Sequence, residues 1–191
     1  MDASIVSGWE NYYVIVGSAA AGLTGLTFVV IALIRESMRG VRPTGVGAFV
    51  TPTIVHFGGV LALAAFMCMP HQGVLSLSGG FAVGGVSGVI YGGFIAANMR
   101  RQGTAYVPVL EDWLWNVILP TLVYGCLIVM ALLIWRWPAR TLYVVATLSL
   151  VMLFIGIRNA WDIAVWMTTH GPREPRARPE QPGRDPGASG S

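Results

Sequence analysis

Polar side chains that could bind or conduct a solute occur inside long apolar stretches of this sequence. Polar groups in hydrocarbon are costly and usually face a partner, a cavity or a pathway. Imidazole, amide and hydroxyl groups also supply both hydrogen-bond donors and acceptors. The set predicts either a solute path or an internally bonded network. Its members are Thr53, His56, Asn116, Arg158, Asn159 and Asp162.

Two members of this set carry opposite charges four residues apart. Arg158 and Asp162 share one face of a helix at this spacing and are expected to pair. Alternatively, Arg158 extends to the inner headgroups near the end of a long helix. His56 lies about ten residues, some 15 Å, into its apolar stretch. It is either a pathway residue or a neutral histidine bonded to a hydroxyl or carbonyl.

Two other constellations near predicted helix ends have a chemical and a structural interpretation. Glu10 could bind a cation at an outer pore mouth, or it could cap a wet helix end. The stretch MCMPH suits Cu(I) by ligand softness, although residues one and two apart on a helix do not converge. Methionine packing and a loop histidine are the alternative, and no metal site is predicted. The weak metal candidates are Met67, Cys68, Met69 and His71.

Small residues recur at every fourth position of the stretch GGFAVGGVSGVIYGGFIAAN. Close contact between small-residue faces drives much of helix association in lipid, so these residues predict helix packing. The packing lies either within one subunit, with the two sets facing each other, or between copies. At least one of Gly84 and Gly88 is expected to face a neighbouring copy. The longer set is Gly80, Gly84, Gly88 and Gly92, and the shorter set is Gly17, Ala21 and Gly25.

The elements that must position these residues are apolar runs of membrane-spanning length. The 191-residue chain is 54% hydrophobic and 11% charged, whereas a soluble domain is about a quarter charged. A hydrocarbon core of about 30 Å takes about 20 helical residues. Five runs meet this length, so an all-α, polytopic integral membrane protein is predicted. The runs are approximately 11–34, 47–69, 73–98, 113–135 and 141–167.

Arginine placement predicts the orientation of these runs. Nine arginines fall in the loops after runs 1 and 3 and in the tail, against Arg136 and Arg140 on the other side. Basic residues favour the cytoplasmic side, so the N-terminus is expected outside and the C-terminus inside. All twelve basic residues are arginine, which is typical of a GC-rich bacterial genome. The predicted location is therefore the bacterial inner membrane.

Residues 1–170 are predicted to form one transmembrane domain. Residues 171–191 contain five prolines and no apolar residue larger than alanine. They are expected to be disordered, because such a segment has too little apolar surface to bury.

Two functional hypotheses follow from these patterns. The first is a small homo-oligomeric channel or carrier for an ion or small solute. The second is a non-transporting accessory or assembly subunit that docks a membrane partner through the glycine stripe. The sequence lacks the common catalytic, phosphate-binding and haem-binding motifs, so neither an enzyme nor a cofactor is expected. The basic excess matches the inner-face bias of membrane proteins, and nucleic acid is not an expected partner.

Overall fold

The computed structural model describes residues 5–37, 46–101 and 113–170, and all regular structure within them is helical. For these residues, the prediction of an all-α fold with five helices is confirmed. The predicted loop 102–112 and the predicted disordered tail 171–191 lie outside the described residues. The helices are α1 (Glu10–Ser37), α2 (Val46–Met67), α3 (Val74–Arg101), α4 (Leu119–Leu133), which a π-helical segment (Leu114–Ile118) precedes, and α5 (Pro138–His170).

Four of the five helices are long and apolar enough to cross a membrane, and this indicates a membrane protein. The apolar stretch of α2 is shorter, Thr51–Met67. Large apolar side chains cover the outside of the bundle: Leu75, Val83 and Leu132 are each at least 72% exposed. An outer surface of this kind is stable in hydrocarbon and not in water.

The helices form two pairs with α5 between them. Helix α1 packs mainly on α2, and α3 packs mainly on α4. Helix α5 contacts α2 and α4 and so joins the two pairs. Helices α2 and α3 are consecutive and joined by a tight hairpin, yet they make few contacts with each other.

Two glycines of the α3 stripe, Gly88 and Gly92, pack closely against α4 of the same chain and not against the small residues of α1. A Cβ atom on Gly88 would lie 2.1 Å from the ring of Tyr124, and one on Gly92 would lie 2.5 Å from the Thr121 hydroxyl. The alternative in which the two small-residue sets face each other does not hold at these positions. Gly88 is buried under Tyr124 of the same chain, so it does not face a neighbouring copy.

The closest approach of α3 and α4 is at Gly85, one position beyond the four-residue repeat. A Cβ atom there would lie 2.8 Å from the backbone oxygen of Tyr124 and 3.0 Å from the backbone nitrogen of Ile128. Real Cβ atoms do not come this close to backbone atoms. The glycine at this position therefore sets the distance between the two helices.

The small residues of α1 have different surroundings from one another. A Cβ atom on Gly17 would lie 2.9 Å from the Cβ of Ala64, so α1 approaches α2 closely there. Ala21 and Gly25 are exposed, and nothing lies within 4 Å of the Cβ position of Gly25. Only Gly17 of this set makes a tight helix contact.

Aromatic residues fix the first turns of α1 to α5. The rings of Trp9 and Tyr143 meet edge to face with their centroids 4.8 Å apart. The Tyr12 hydroxyl donates a hydrogen bond of 2.5 Å to the carbonyl oxygen of Ala146. Tyr13 is buried beside them. These contacts hold the two ends together at the predicted outer surface, where amphipathic rings are favoured.

Candidate functional site

His56 lies on α2 and points into the bundle. Its side chain is 1% exposed, and its ring centroid lies 6.2 Å from that of Tyr124 on α4. Neither ring nitrogen has a hydrogen-bond partner among the residues that the structure describes. A neutral imidazole has one hydrogen-bond donor and one acceptor, so His56 can offer both to a bound solute.

Helix α5 brings a second polar side chain to the same half of the bundle. A Cβ atom on Gly156 would lie 2.4 Å from the ring of Phe57, so Gly156 packs against this ring. Phe57 is the residue after His56. Asn159 follows about one turn later and is 4% exposed. Within the described part of the chain, its Nδ2 amide nitrogen has no hydrogen-bond partner.

Helix α4 and the π-helical segment contribute further polar groups. Asn116 is buried in the π-helical segment. The hydroxyl of Thr121 is buried, and none of the described residues hydrogen-bonds to it. Thr121 lies one turn before Tyr124, and Thr53 lies one turn before His56. Because the rings of His56 and Tyr124 are neighbours, the two threonines lie at about the same level of the bundle.

Pro120 explains why the helix is wider at this point. In an α-helix its ring would press against the carbonyl group of Asn116, and it has no N–H to donate. The structure instead closes the turn with a bond from the N–H of Leu119 to the oxygen of Leu114, five residues back. Segments of this kind often occur at functional sites.

Together these groups lie at successive levels of the predicted inner half of the bundle, from Asn116 near the inner surface to His56. We call this set of residues with buried polar atoms the inner polar column. From the level of Asn116 to that of Tyr124 the helix rises about 12 Å. The members come from α2, the π-helical segment, α4 and α5: Thr53, His56, Asn116, Thr121 and Asn159.

The two charged candidates lie at the edge of the column and not inside it. Arg158 and Asp162 form the predicted ion pair, with side chains 32% and 53% exposed. The Arg158 guanidinium also stacks over the ring of Trp115 at 5.4 Å. Among the residues whose burial the structure describes, no acidic residue or arginine is buried as a whole, although the Nη1 atom of Arg158 is enclosed beside Asp162. The inner polar column is therefore composed of groups without a permanent charge.

The outer half of the bundle is mostly apolar, and most of its polar groups are paired. Apolar residues of all five helices form the core there, including Phe81, Leu127 and Leu142. The Ser78 hydroxyl donates to the oxygen of Ala131 at 2.7 Å. The partnerless hydroxyl of Tyr13 is an exception among the described residues. The core closes the bundle above His56.

The other candidates have structural roles or separate surroundings. The Glu10 carboxylate, in the first turn of α1, accepts a hydrogen bond of 2.7 Å from the backbone N–H of Gly8, just before the helix. Met67 is buried in the core, whereas Cys68, Met69 and His71 are exposed. Residue His71 adopts a positive φ of 60°, which turns the chain between α2 and α3. The four candidate metal ligands in MCMPH therefore do not share one surface.

A separate groove lies between α2 and α3. It has a volume of about 530 Å³, and its floor is formed by α4 and α5. Gly80, Gly84 and Gly88 of the stripe line it. Tyr124 lines it and His56 does not, and the two rings lie 6.2 Å apart between their centroids. We call this feature the lateral groove.

Sequence reasoning missed Tyr124. Tyr124 covers Gly88, neighbours His56 and lines the lateral groove, yet a tyrosine in an apolar run resembles any core aromatic. Comparison of the chain with protein-family models, with curated proteins and with solved structures gives no match. The geometry of the site alone therefore supports the functional proposal.

Proposed function

We propose that this protein is a carrier of a small, uncharged polar solute in the bacterial inner membrane. The supporting observation is the set of buried polar atoms without protein partners at His56, Thr121 and Asn159. Leaving such groups unpaired in hydrocarbon costs free energy, and a solute with its own donors and acceptors offsets that cost.

The charge of the column favours an uncharged solute. A permanently charged ion taken into the bundle needs a countercharge, since its desolvation costs several kcal/mol. The only charges beside the column, Arg158 and Asp162, neutralise each other among the described residues. Hydroxyl, amide and imidazole groups instead match the hydrogen bonds of polyols, ureas and similar solutes.

The uneven packing of the two halves favours a carrier over an open channel. The inner polar column lies between the predicted inner surface and His56, and the apolar cluster that contains Phe81 and Leu127 lies above it. We propose that the column is the inner half of a carrier's path and that changes of helix packing open the two sides in turn. The path lies within one subunit, so a homo-oligomer is not needed for transport.

The proposal can be tested by osmotic swelling of proteoliposomes with urea or glycerol as the probe. We expect uptake faster than in protein-free liposomes, and slower uptake with His56→Leu than with the neighbouring control Ile54→Leu. Flux of potassium chloride instead of these solutes would contradict the proposal. Absence of any flux would favour the alternative, a non-transporting accessory subunit.

The water accessibility of the column provides an independent test. In a Cys68→Ser, Cys126→Ser background, we expect Thr53→Cys and Asn159→Cys to react with a charged methanethiosulfonate in inside-out vesicles. Ala64→Cys should not react, because this residue is buried in the outer core of the same helix as Thr53. Equal protection of all three would show a dry bundle.

The proposed orientation, with five spans and the N-terminus outside, is tested by the natural cysteines. Both are free and exposed. Cys68 lies at the predicted outer end of α2, so an impermeant maleimide should label it in intact cells. Cys126 lies in the middle of α4 and faces hydrocarbon, where a polar reagent does not reach. Cys68→Ser should abolish labelling, and labelling only after permeabilisation would reverse the orientation.

A further inference from the structure

The lateral groove exists because α2 and α3 diverge below their hairpin and because α3 lacks side chains there. A Cβ atom on Gly84 would lie 3.5 Å from Leu127, which is ordinary contact, so the space beyond it is open. At the outer end the ring of Phe66 lies against Gly80 and closes the groove. Val83 also lines it and is 72% exposed, so the groove opens on the outer surface of the bundle.

The lining of the groove is apolar in its chemistry. Four hydroxyl-bearing residues line it, and no charged residue does. The Ser87 hydroxyl donates to the oxygen of Gly84 at 3.0 Å, and the Ser149 hydroxyl donates to the oxygen of Ala146 at 2.7 Å. Because the two serine hydroxyls are already bonded within the protein, they offer little to water or to a polar ligand.

The dimensions of the groove restrict its occupant to a slender chain. On α2 the lining runs from Val55 to Phe66 and on α3 from Gly80 to Tyr91, each a rise of about 16 Å. Dividing the volume by this length and widening the result by the radius of a water molecule gives a mean cross-section of about 60 Å². A helix with its side chains is about 10 to 12 Å across and needs about 80 to 110 Å². A transmembrane helix of a partner or a second copy therefore does not enter the groove along its length.

The depth of the groove identifies the source of that chain. The groove begins six residues after the start of α3 and ends ten residues before its end, which is about 9 Å and 15 Å from the two ends. Its whole length is thus at hydrocarbon depth, where acyl chains of phospholipids surround the protein. We propose that the lateral groove binds one acyl chain of a bilayer phospholipid and leaves the headgroup outside.

Native mass spectrometry of the detergent-purified protein tests this proposal, with phosphatidylethanolamine and phosphatidylglycerol as added probes. We expect one retained phospholipid per chain, with similar retention for the two headgroups. Gly84→Leu, which fills the groove, should lower retention at least fivefold, and Ser87→Leu should lower it in the same direction. Gly93→Leu is the matched control, because nothing lies within 4 Å of its Cβ position and it does not line the groove.

Photolabelling in vesicles separates a seated chain from general lipid contact. A phosphatidylglycerol with a diazirine near the end of one acyl chain should label Val83 and Tyr91 more strongly than the exposed Leu26 and Leu33 of α1. Gly84→Leu should remove that excess while the melting temperature stays near that of Gly93→Leu. Even labelling of all exposed positions, unchanged retention in Gly84→Leu, or cross-linking of Val83→Cys between copies would overturn the proposal.

Discussion

Gly85→Leu is expected to lose about 3 kcal/mol or more of folding free energy, the upper end of the range for overpacked sites. The atoms that meet the new side chain include the backbone oxygen of Tyr124 and the backbone nitrogen of Ile128. Backbone atoms cannot rotate away as a side chain does, so α3 and α4 must separate along their whole contact. Thermal unfolding in detergent should show a much lower melting temperature and a lower yield of folded protein.

The same helix offers a control and a contrasting variant. Gly93→Leu adds the same side chain eight residues further on, where nothing lies within 4 Å. It should keep or slightly raise the stability, since leucine favours a helix over glycine by up to about 1 kcal/mol. Gly88→Ala should destabilise because of the Tyr124 ring, and Tyr124→Leu should restore part of the loss.

Rescue by a side-chain change is not expected at Gly85. Ile128→Ala leaves both backbone contacts in place, so the double variant Gly85→Leu, Ile128→Ala should stay unstable. A stable Gly85→Leu monomer that merely runs at lower mass would show that the stripe joins copies, contrary to the packing described above.

His56→Leu is expected to make the protein more stable and to abolish transport. The imidazole is buried with both nitrogens unpaired among the described residues, and such a group costs about 1 to 3 kcal/mol when no partner satisfies it. Leucine has a similar size and no polar atoms, so the substitution removes this cost. Chemical or thermal unfolding should show a gain of at least about 1 kcal/mol, while urea and glycerol uptake falls to the level of protein-free liposomes.

Opposite signs for stability and transport distinguish a functional from a structural histidine. A histidine that held the bundle together would lose stability on replacement by leucine, and transport would fail because the fold fails. Ile54→Leu on the same helix should change neither quantity by much. Loss of stability in His56→Leu would therefore remove His56 from the proposed path.

The helices and the ion pair were predictable from sequence because each depends on local spacing. Length and hydropathy indicate a helix that crosses a bilayer, and the four-residue spacing of Arg158 and Asp162 places them on one face. The depth of His56 also follows from its position in the run. Whether such a residue points inward depends on the rotation of the helix, and α2 is apolar on every face, so no stripe of polar residues reveals that rotation.

The partner of the glycine stripe was not predictable, for a related reason. Regular glycines show that something comes close, but every neighbouring helix presents a similar apolar surface. The residues that fill the space, Tyr124 and Thr121, look like ordinary members of an apolar run. The tightest contact, at Gly85, even lies outside the repeat, because contact depends on the crossing of two helices and not on one sequence period.

The π-helical segment before Pro120 has a consequence for the origin of the site. A π turn holds one more residue than the α turn from which such segments arise, so it is equivalent to a single-residue insertion. Deleting Val117, which lies between Asn116 and α4, would remove this extra residue and rotate Asn116 by about 100° relative to α4. Trp115 would move with it, away from Arg158. The burial of the Asn116 amide thus depends on one inserted residue and not only on the choice of side chain.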